Sequence, residues 1–219
     1  MEPTIYKPGI YKTPGVNKGA GGIYKGRGLY NDGAGGGTAG LEIDGKIYPV
    51  VQIGNLYWLA ENLDFSDSTI PIVTTYYNNE YYPRCRYYMN DPAEYGYNGK
   101  KYNLLYTGFC DEHIGQIIPD GWRVPTKSDF DNLVSSVSSP LELVREDFGG
   151  TNESGFSAPF SGFYNSNTYN ADIFTCYAKE GQNDGNRYYL RVSSSQKKVE
   201  LSSNTSRRFF RSIRICKDT

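Results

Sequence analysis

Between residues 41 and 63 apolar and polar side chains alternate through LEIDGKIYPV and VQIGNLYWLAENL, each interrupted by a two-residue turn signal, Asp44-Gly45 and Gly54-Asn55. Alternation marks a half-buried strand, and Asp-Gly favours the turn whose twist matches antiparallel partners, so two successive hairpins are predicted here. The period changes at GWRVPTKSDFDNL. Phe130, Leu133, Val134 and Val137 recur at i, i+3, i+4 and i+7, one face of a helix. Thr126 and Asp129 supply its start, a hydroxyl that accepts from a free backbone N–H and an acid that favours the positive end of the helix. A helix is therefore predicted from 126 to about 138, and a second, shorter one over 140–147.

Three further strands are expected at DIFTCYAK, RYYLRVSS and RFFRSIRICK, with a short one near Tyr102 to Tyr106. The stretches TTYYNNEYYPRCRYYMNDPAEYGYNGKKYNLLY and GGTNESGFSAPFSGFYNSNTYN carry almost no period. Long irregular segments of this kind in a compact domain are usually functional loops or packed by their own aromatic residues. The fold class expected is α+β: short antiparallel strands, about two helices and a large loop fraction.

Residues 1–40 follow another rule. IYKPG, IYKTPG, VNKGAG, IYKGRG and LYNDGAG repeat an apolar–Tyr–Lys theme closed by a Gly/Pro turn, and no such unit can bury a core of its own. The expected organisation is an attachment or oligomerisation arm over 1–40 and a binding domain over 41–219. Plain disorder is the other reading of the arm.

Charge narrows the picture. Lys+Arg 23 against Asp+Glu 24 gives a net charge of -1, so neither a nucleic-acid groove nor a membrane-surface helix is implied. No apolar run approaches a membrane span, and MEPTIYKPG does not read as a secretory leader. Cys85, Cys110, Cys176 and Cys216 form no CxxC pair, and the single His113 cannot complete a zinc site. Whether these thiols pair or stay reduced is left open by their spacing. The 21 tyrosines beside 25 glycines suit two readings equally: binding loops, where tyrosine offers large contact area at low entropic cost, and aromatic-rich strands.

In order along the chain, IGNLYWLAENLDF, YNLLYTGF, PDGWRVPTKSDFDNL, GFSAPFSGF, YYLRVSSS and SIRICKD resemble the Fibrobacter succinogenes major paralogous domain over about residues 41–218. The resemblance implies a C-type-lectin-like fold of the kind shared with formylglycine-generating enzymes, with a large irregular binding surface held on short strands and helices. Trp122 and the helix after Pro125 would then be scaffold. The chain departs from the family pattern in its last part and around its cysteines. Ile118 stands where a cysteine commonly precedes Pro-x-Gly-Trp, Ile215 stands at the closing cysteine position with Cys216 one place later, IFTCYA replaces a Trp-Ser-Ser-type stretch, and Phe210-Arg211 replaces Gly-Phe before Ser212. A one-residue shift in a strand turns the side chain to the other face, so a family disulfide is not carried over.

The density of Asn, Tyr, Ser and Asp in the last quarter resembles the target proteins of diversity-generating retroelements, in which a lectin-like scaffold is mutagenised at adenines. The positions this implies as ligand-binding are Tyr164, Asn165, Asn167, Tyr169, Asn170, Asp172, Phe174, Tyr177, Asn183, Asp184, Asn186, Tyr188, Arg207, Arg208 and Phe209. Aromatic rings would anchor the ligand, amides would adapt to it, and the arginines would meet anionic or planar groups. Ordinary solvated loops are the alternative reading of the same residues.

No catalytic set is expected. The oxidase chemistry of the shared superfold needs paired reactive cysteines, and none here has a cysteine neighbour or a nearby histidine. Glu146 and Asp147 are adjacent and would not face each other on a helix. QNDGN at 182–186 offers one carboxylate for calcium and reads better as a turn, the glycine spacings of the arm open no helix, and His113 reads as a loop residue. No cofactor or metal is expected. These features together predict a receptor-binding protein, a phage tail-tip or fibre component that trimerises and meets a host cell-surface glycan or protein, with residues 1–40 contacting other virion proteins. A bacterial cell-surface adhesin is the alternative, and a formylglycine-generating-type oxidase the lesser one. Nucleic-acid binding and membrane insertion are not expected.

Overall fold

The computed structural model describes residues 29–30, 40–74, 82–87, 103–165, 168–170, 173–181, 183, 186–193 and 198–219. Most of the arm, and most of the tyrosine-rich stretch from 75 to 102, lie outside the described residues.

Both tight hairpins are present. Strand β1 (Leu29–Tyr30) pairs with β2 (Gly40–Ile43), β2 with β3 (Lys46–Ile53), and β3 with β4 (Leu56–Leu59), all antiparallel. Asp44 and Gly45 both take positive φ, 49° and 78°, as the mirror-image turn of a two-residue hairpin demands. At the second turn Gly54 has φ 61°, a conformation that favours glycine, and a Cβ there would lie 2.4 Å from Ser136 Oγ and force that hydroxyl to turn away. β1 falls inside the predicted arm, so part of that segment forms an edge of the first sheet.

Strands β5 (Cys85–Arg86) and β6 (Leu105–Thr107) follow, then helix α1 (Asp111–Ile117) and helix α2 (Lys127–Ser135). The Thr126 cap is formed: its hydroxyl accepts from the Asp129 N–H at 3.1 Å, and the Asp129 carboxylate accepts from the Thr126 N–H at 2.8 Å. α2 ends at Ser135, short of the expected 138, where the Ser135 and Ser136 hydroxyls donate back to the Asn132 carbonyl and compete with the helix ladder. The second predicted helix is two 3₁₀ turns, Pro140–Leu143 and Glu146–Phe148, because Val144 is extended and bridges Ala158. His113 lies on α1, not in a loop.

Strands β7 (Phe163–Asn165) and β8 (Thr168–Asn170) make a hairpin inside a stretch expected to be irregular. Strands β9 (Ile173–Tyr177), β10 (Asn186–Ser193) and β11 (Lys198–Ser206) form an antiparallel meander, in which β11 was not foreseen. The expected last strand is divided into β12 (Phe210–Arg211), between β6 and β7, and β13 (Cys216–Asp218), beside β4. Between them Ser212 exchanges backbone bonds with β9, and the Ile213 and Ile215 carbonyls accept from Leu63 and Leu59. One extended segment thus stitches together the three sheets, and the protein is a mixed α+β fold dominated by antiparallel strands.

That stitching makes a wall with a core on each side. Leu59, Tyr177 and Ile215 face one core with Trp122 and α1. Trp58, Phe174, Cys176 and Cys216 face the other with Phe130 and Leu133 of α2. Trp58 stacks on Phe130 at 5.8 Å and meets Phe156 edge-on at 5.7 Å, contacts that add to the burial of three large apolar side chains. The face change anticipated for Cys216 relative to Ile215 is what divides these neighbours between the two cores.

Candidate functional site

The predicted ligand-binding residues separate into a buried and an accessible set. Phe174 is fully buried against Phe156 at 5.9 Å, and Tyr177, three residues along the same strand, is buried in the opposite core. β9 is covered on both faces, so neither ring can offer itself to a ligand. Tyr164 is likewise buried, edge-on to Phe210 at 6.0 Å and under the Arg86 guanidinium at 3.4 Å. These three are structural, a correction to their assignment as ligand anchors.

Asn183 is exposed, and Asn165, Asn186, Tyr188, Arg207, Arg208 and Phe209 are half-buried. Tyr169 and Asn170 belong to β8, while Asn167, Asp172 and Asp184 lie outside the described residues. Several accessible positions are neighbours: Asn186 pairs with Ser206 at the mouth of the turn that carries Arg207, Arg208 and Phe209, and Phe210 after that turn pairs with Tyr164 of the β7–β8 hairpin.

The turn is fastened from below. The buried Tyr177 hydroxyl lies 2.9 Å from the Ser206 carbonyl and 2.7 Å from that of Phe209, so its single proton is shared between the two ends of the loop. Burial pushes its pKa up, which keeps the hydroxyl protonated as a donor. From the side, the Gly108 N–H donates to the Arg207 carbonyl at 2.7 Å, and Arg207 Nε donates to the Gly108 carbonyl at 3.1 Å. The Arg207 guanidinium lies over the Phe109 ring at 4.4 Å. Asp111, largely buried, takes Arg187 at 2.9 Å and Arg207 at 3.4 Å.

Sequence reading missed Asp111, Arg187 and the arginines beneath the surface. Arg211 has its Nε and Nη2 on Thr205 Oγ1 and its guanidinium over Tyr189 at 3.8 Å and Phe163 at 4.3 Å. The available signal was density: Arg207, Arg208, Arg211 and Arg214 all fall within SRRFFRSIR.

Arg214 serves the scaffold. It is fully buried and donates to Asn62 Oδ1 and the Leu59 carbonyl at 2.9 Å each, to the Ser157 carbonyl at 3.0 Å, and to the Phe156 carbonyl. Burial lowers its pKa to about 9, so it remains a cation at neutral pH. The Asn62 side-chain amide donates to Ser212 Oγ, which is itself bonded to Ser161 Oγ at 2.8 Å. Residues from ENLDF, GFSAPFSGF and SIRICKD thus share one polar lock.

Above this lock lies a cavity of about 750 Å³ between the β3–β4 hairpin and residues 145–159, with Asn103 on its wall. It shares no residue with the accessible set above.

The cysteines are all free and buried, and burial raises every thiol pKa, Cys110 and Cys176 to about 12. Among the described residues, no group of three or more His, Cys, Asp or Glu side chains is placed to hold a metal, and no helix is long and apolar enough to cross a membrane.

With this geometry in view, the family comparison has a structural meaning. A family model, the Fibrobacter succinogenes major domain, matches residues 51–215, from within the hairpin strand β3 to the residue before β13. The chain belongs to this family. No curated protein and no solved structure matches it.

Proposed function

We propose that the chain is a receptor-binding protein with a C-type-lectin-like head, a phage tail-tip or fibre component whose C-terminal surface is diversified by a retroelement. The observation that carries the reading is the Ser206–Phe209 turn, held at both ends by the Tyr177 hydroxyl. With Arg207 held on Gly108 and Asp111, the Arg208 and Phe209 side chains could change while the backbone stays in place, which is what a variable contact surface on a rigid support requires. Recognition would be by contact: Asn165, Asn183 and Asn186 as adaptable amides, Tyr188 and Phe209 as partly exposed aromatic surface, and Arg208 toward anionic or planar groups on a host glycan or protein. Four buried thiols with raised pKa values favour binding over thiol-based oxidase chemistry. Residues 1–40 would join the head to a homotrimeric assembly.

Sequencing the encoding locus from many isolates tests the reading. Changes concentrated at Asn-type codons for accessible positions between 160 and 212, beside a near-copy of that window and a reverse transcriptase gene, are the expected result. Uniform variation along the gene, or changes at Phe174 and Tyr177 as frequent as at Asn183 and Asn186, would refute diversification.

A further inference from the structure

Three charged side chains outside the C-terminal surface converge where the first hairpins meet the wall. Lys46 Nζ lies 3.2 Å from Asp64 Oδ2 and 3.4 Å from Glu61 Oε2. Lys46 opens β3 and Asp64 follows β4, so the chain between them contains the whole β3–β4 hairpin. The backbone holds both ends in place. Tyr48, on the same face of β3 as Lys46, takes the Asp64 N–H on its hydroxyl at 3.0 Å, and its ring centre lies 4.3 Å from the ammonium. One residue earlier, the Leu63 N–H donates to the Ile213 carbonyl of the stitching segment.

Enclosure separates this group from other lysine pairs. Lys127 meets Asp131 and Lys198 meets Glu200, but those lysine side chains are 45% and 59% exposed. Lys46 is 28% exposed and Asp64 8%, and although the Glu61 side chain is open at 36%, the oxygen that faces the amine is buried. A nitrogen held by the fold within about 3–3.5 Å of a carboxyl group needs no collision to react, and effective molarity can then drive a step that is slow between free side chains. A second carboxylate in reach of the same nitrogen can carry its protons.

We propose that Lys46 and Asp64 are a self-crosslinking pair, joined by an isopeptide bond with Glu61 as the proton carrier. Nζ bonds to Asp64 Cγ, one Cγ–O bond breaks, and the oxygen leaves as water with two protons from the ammonium, relayed by Glu61. An ammonium and a carboxylate thus become one amide and one water, with no oxidant, reductant or cofactor. The bond closes a covalent ring around the β3–β4 hairpin, beside the strands β1 and β2 through which the arm enters the domain. It rests on these contacts alone and does not depend on the receptor-binding reading.

The test is the intact mass of the purified full-length protein after incubation at neutral pH. A mass lower than that of the sequence by one water, about 18 Da, is expected, with the Lys46 and Asp64 peptides joined after digestion. Lys46→Arg keeps the charge but has no amine to condense; it should show its full mass and a thermal midpoint lower by about 5–10 °C. Glu61→Gln should slow the loss of water at least about a hundredfold. Lys127→Arg, at an exposed ion pair, should condense like the parent. If Lys46→Arg fails to fold, the parent mass and its joined peptides decide alone. Full mass in the folded parent would mean an ion pair only and would overturn the assignment, as would loss of water in folded Lys46→Arg; condensation of Glu61→Gln at the parental rate would overturn the role of Glu61.

Discussion

Two arginines seven residues apart do opposite work. Arg214 is fully enclosed, gives its donors to Asn62 and three carbonyls, and faces the rings of Phe156 at 4.3 Å and Phe174 at 5.3 Å. Arg207 is half-buried, lies over Phe109, shares Asp111 with Arg187, and sits in the turn that carries the half-buried Arg208. One region spends its polar groups on fixing the wall between two cores. The other spends them on holding a surface loop still while leaving side chains at its edge accessible.

The sharpest way to break the comparison is Arg214→Met. It leaves three backbone carbonyls and the Asn62 oxygen without their donor in a dry interior, so a loss of about 3–5 kcal/mol is expected in denaturant unfolding. A loss below about 1 kcal/mol would mean that the lock is incidental.

Asp129→Asn comes next. The carboxylate takes Arg123 at 2.8 Å and accepts from the Thr126 N–H of the α2 cap at 2.8 Å, and Arg123 also reaches Asp218 at 2.9 Å. Burial alone would raise the Asp129 pKa, but the hydrogen bonds from Arg123 and Thr126 outweigh it and hold the carboxyl below its ordinary value. Because the folded-state pKa is depressed, the stabilisation is complete well above the unfolded value near pH ~4 and is lost as pH falls through the native value. The variant should be about 2 kcal/mol less stable at neutral pH and should show a shallower loss of thermal stability below about pH 4 than the parent. Parallel pH profiles would contradict this.

Tyr177→Phe keeps the ring and deletes the fastener of the Ser206–Phe209 turn. A loss of about 1 kcal/mol is expected, with faster amide exchange confined to that turn. Arg208→Ala, at a half-buried position, should cost less stability than Tyr177→Phe while weakening binding to the proposed receptor, and a larger folding defect there would move Arg208 from the proposed display surface to the scaffold.

Local signals in the sequence were legible where residues a few positions apart decide the outcome. Thr126 and Asp129 fix the start of α2, Asp44-Gly45 fixes a turn, and both appear as read. α1 escaped because it is only two turns long, contains Gly115, and begins at Cys110 with no side-chain cap. The β7–β8 hairpin and β11 escaped because polar strands such as KVELSSNTS carry little alternation, and their register comes from neighbours distant in sequence. The candidate site was half legible for a related reason. Asn and Tyr density located the region, yet Phe174 and Tyr177 are consumed by cores on opposite faces of β9, and no local pattern announces that a strand is covered twice. The division of RFFRSIRICK into β12 and β13 is of the same kind: its alternation is strand-like throughout, while its partners change along the way.

A proteolysis-resistance scan of every substitution from 160 to 216 tests the division between scaffold and display most directly. Asn165, Asn183, Asn186 and Arg208 should accept most replacements, while Phe174, Cys176, Tyr177 and Arg214 should accept almost none. Uniform tolerance across the window, or intolerance at the accessible positions equal to that at the buried ones, would contradict a rigid support carrying a changeable surface.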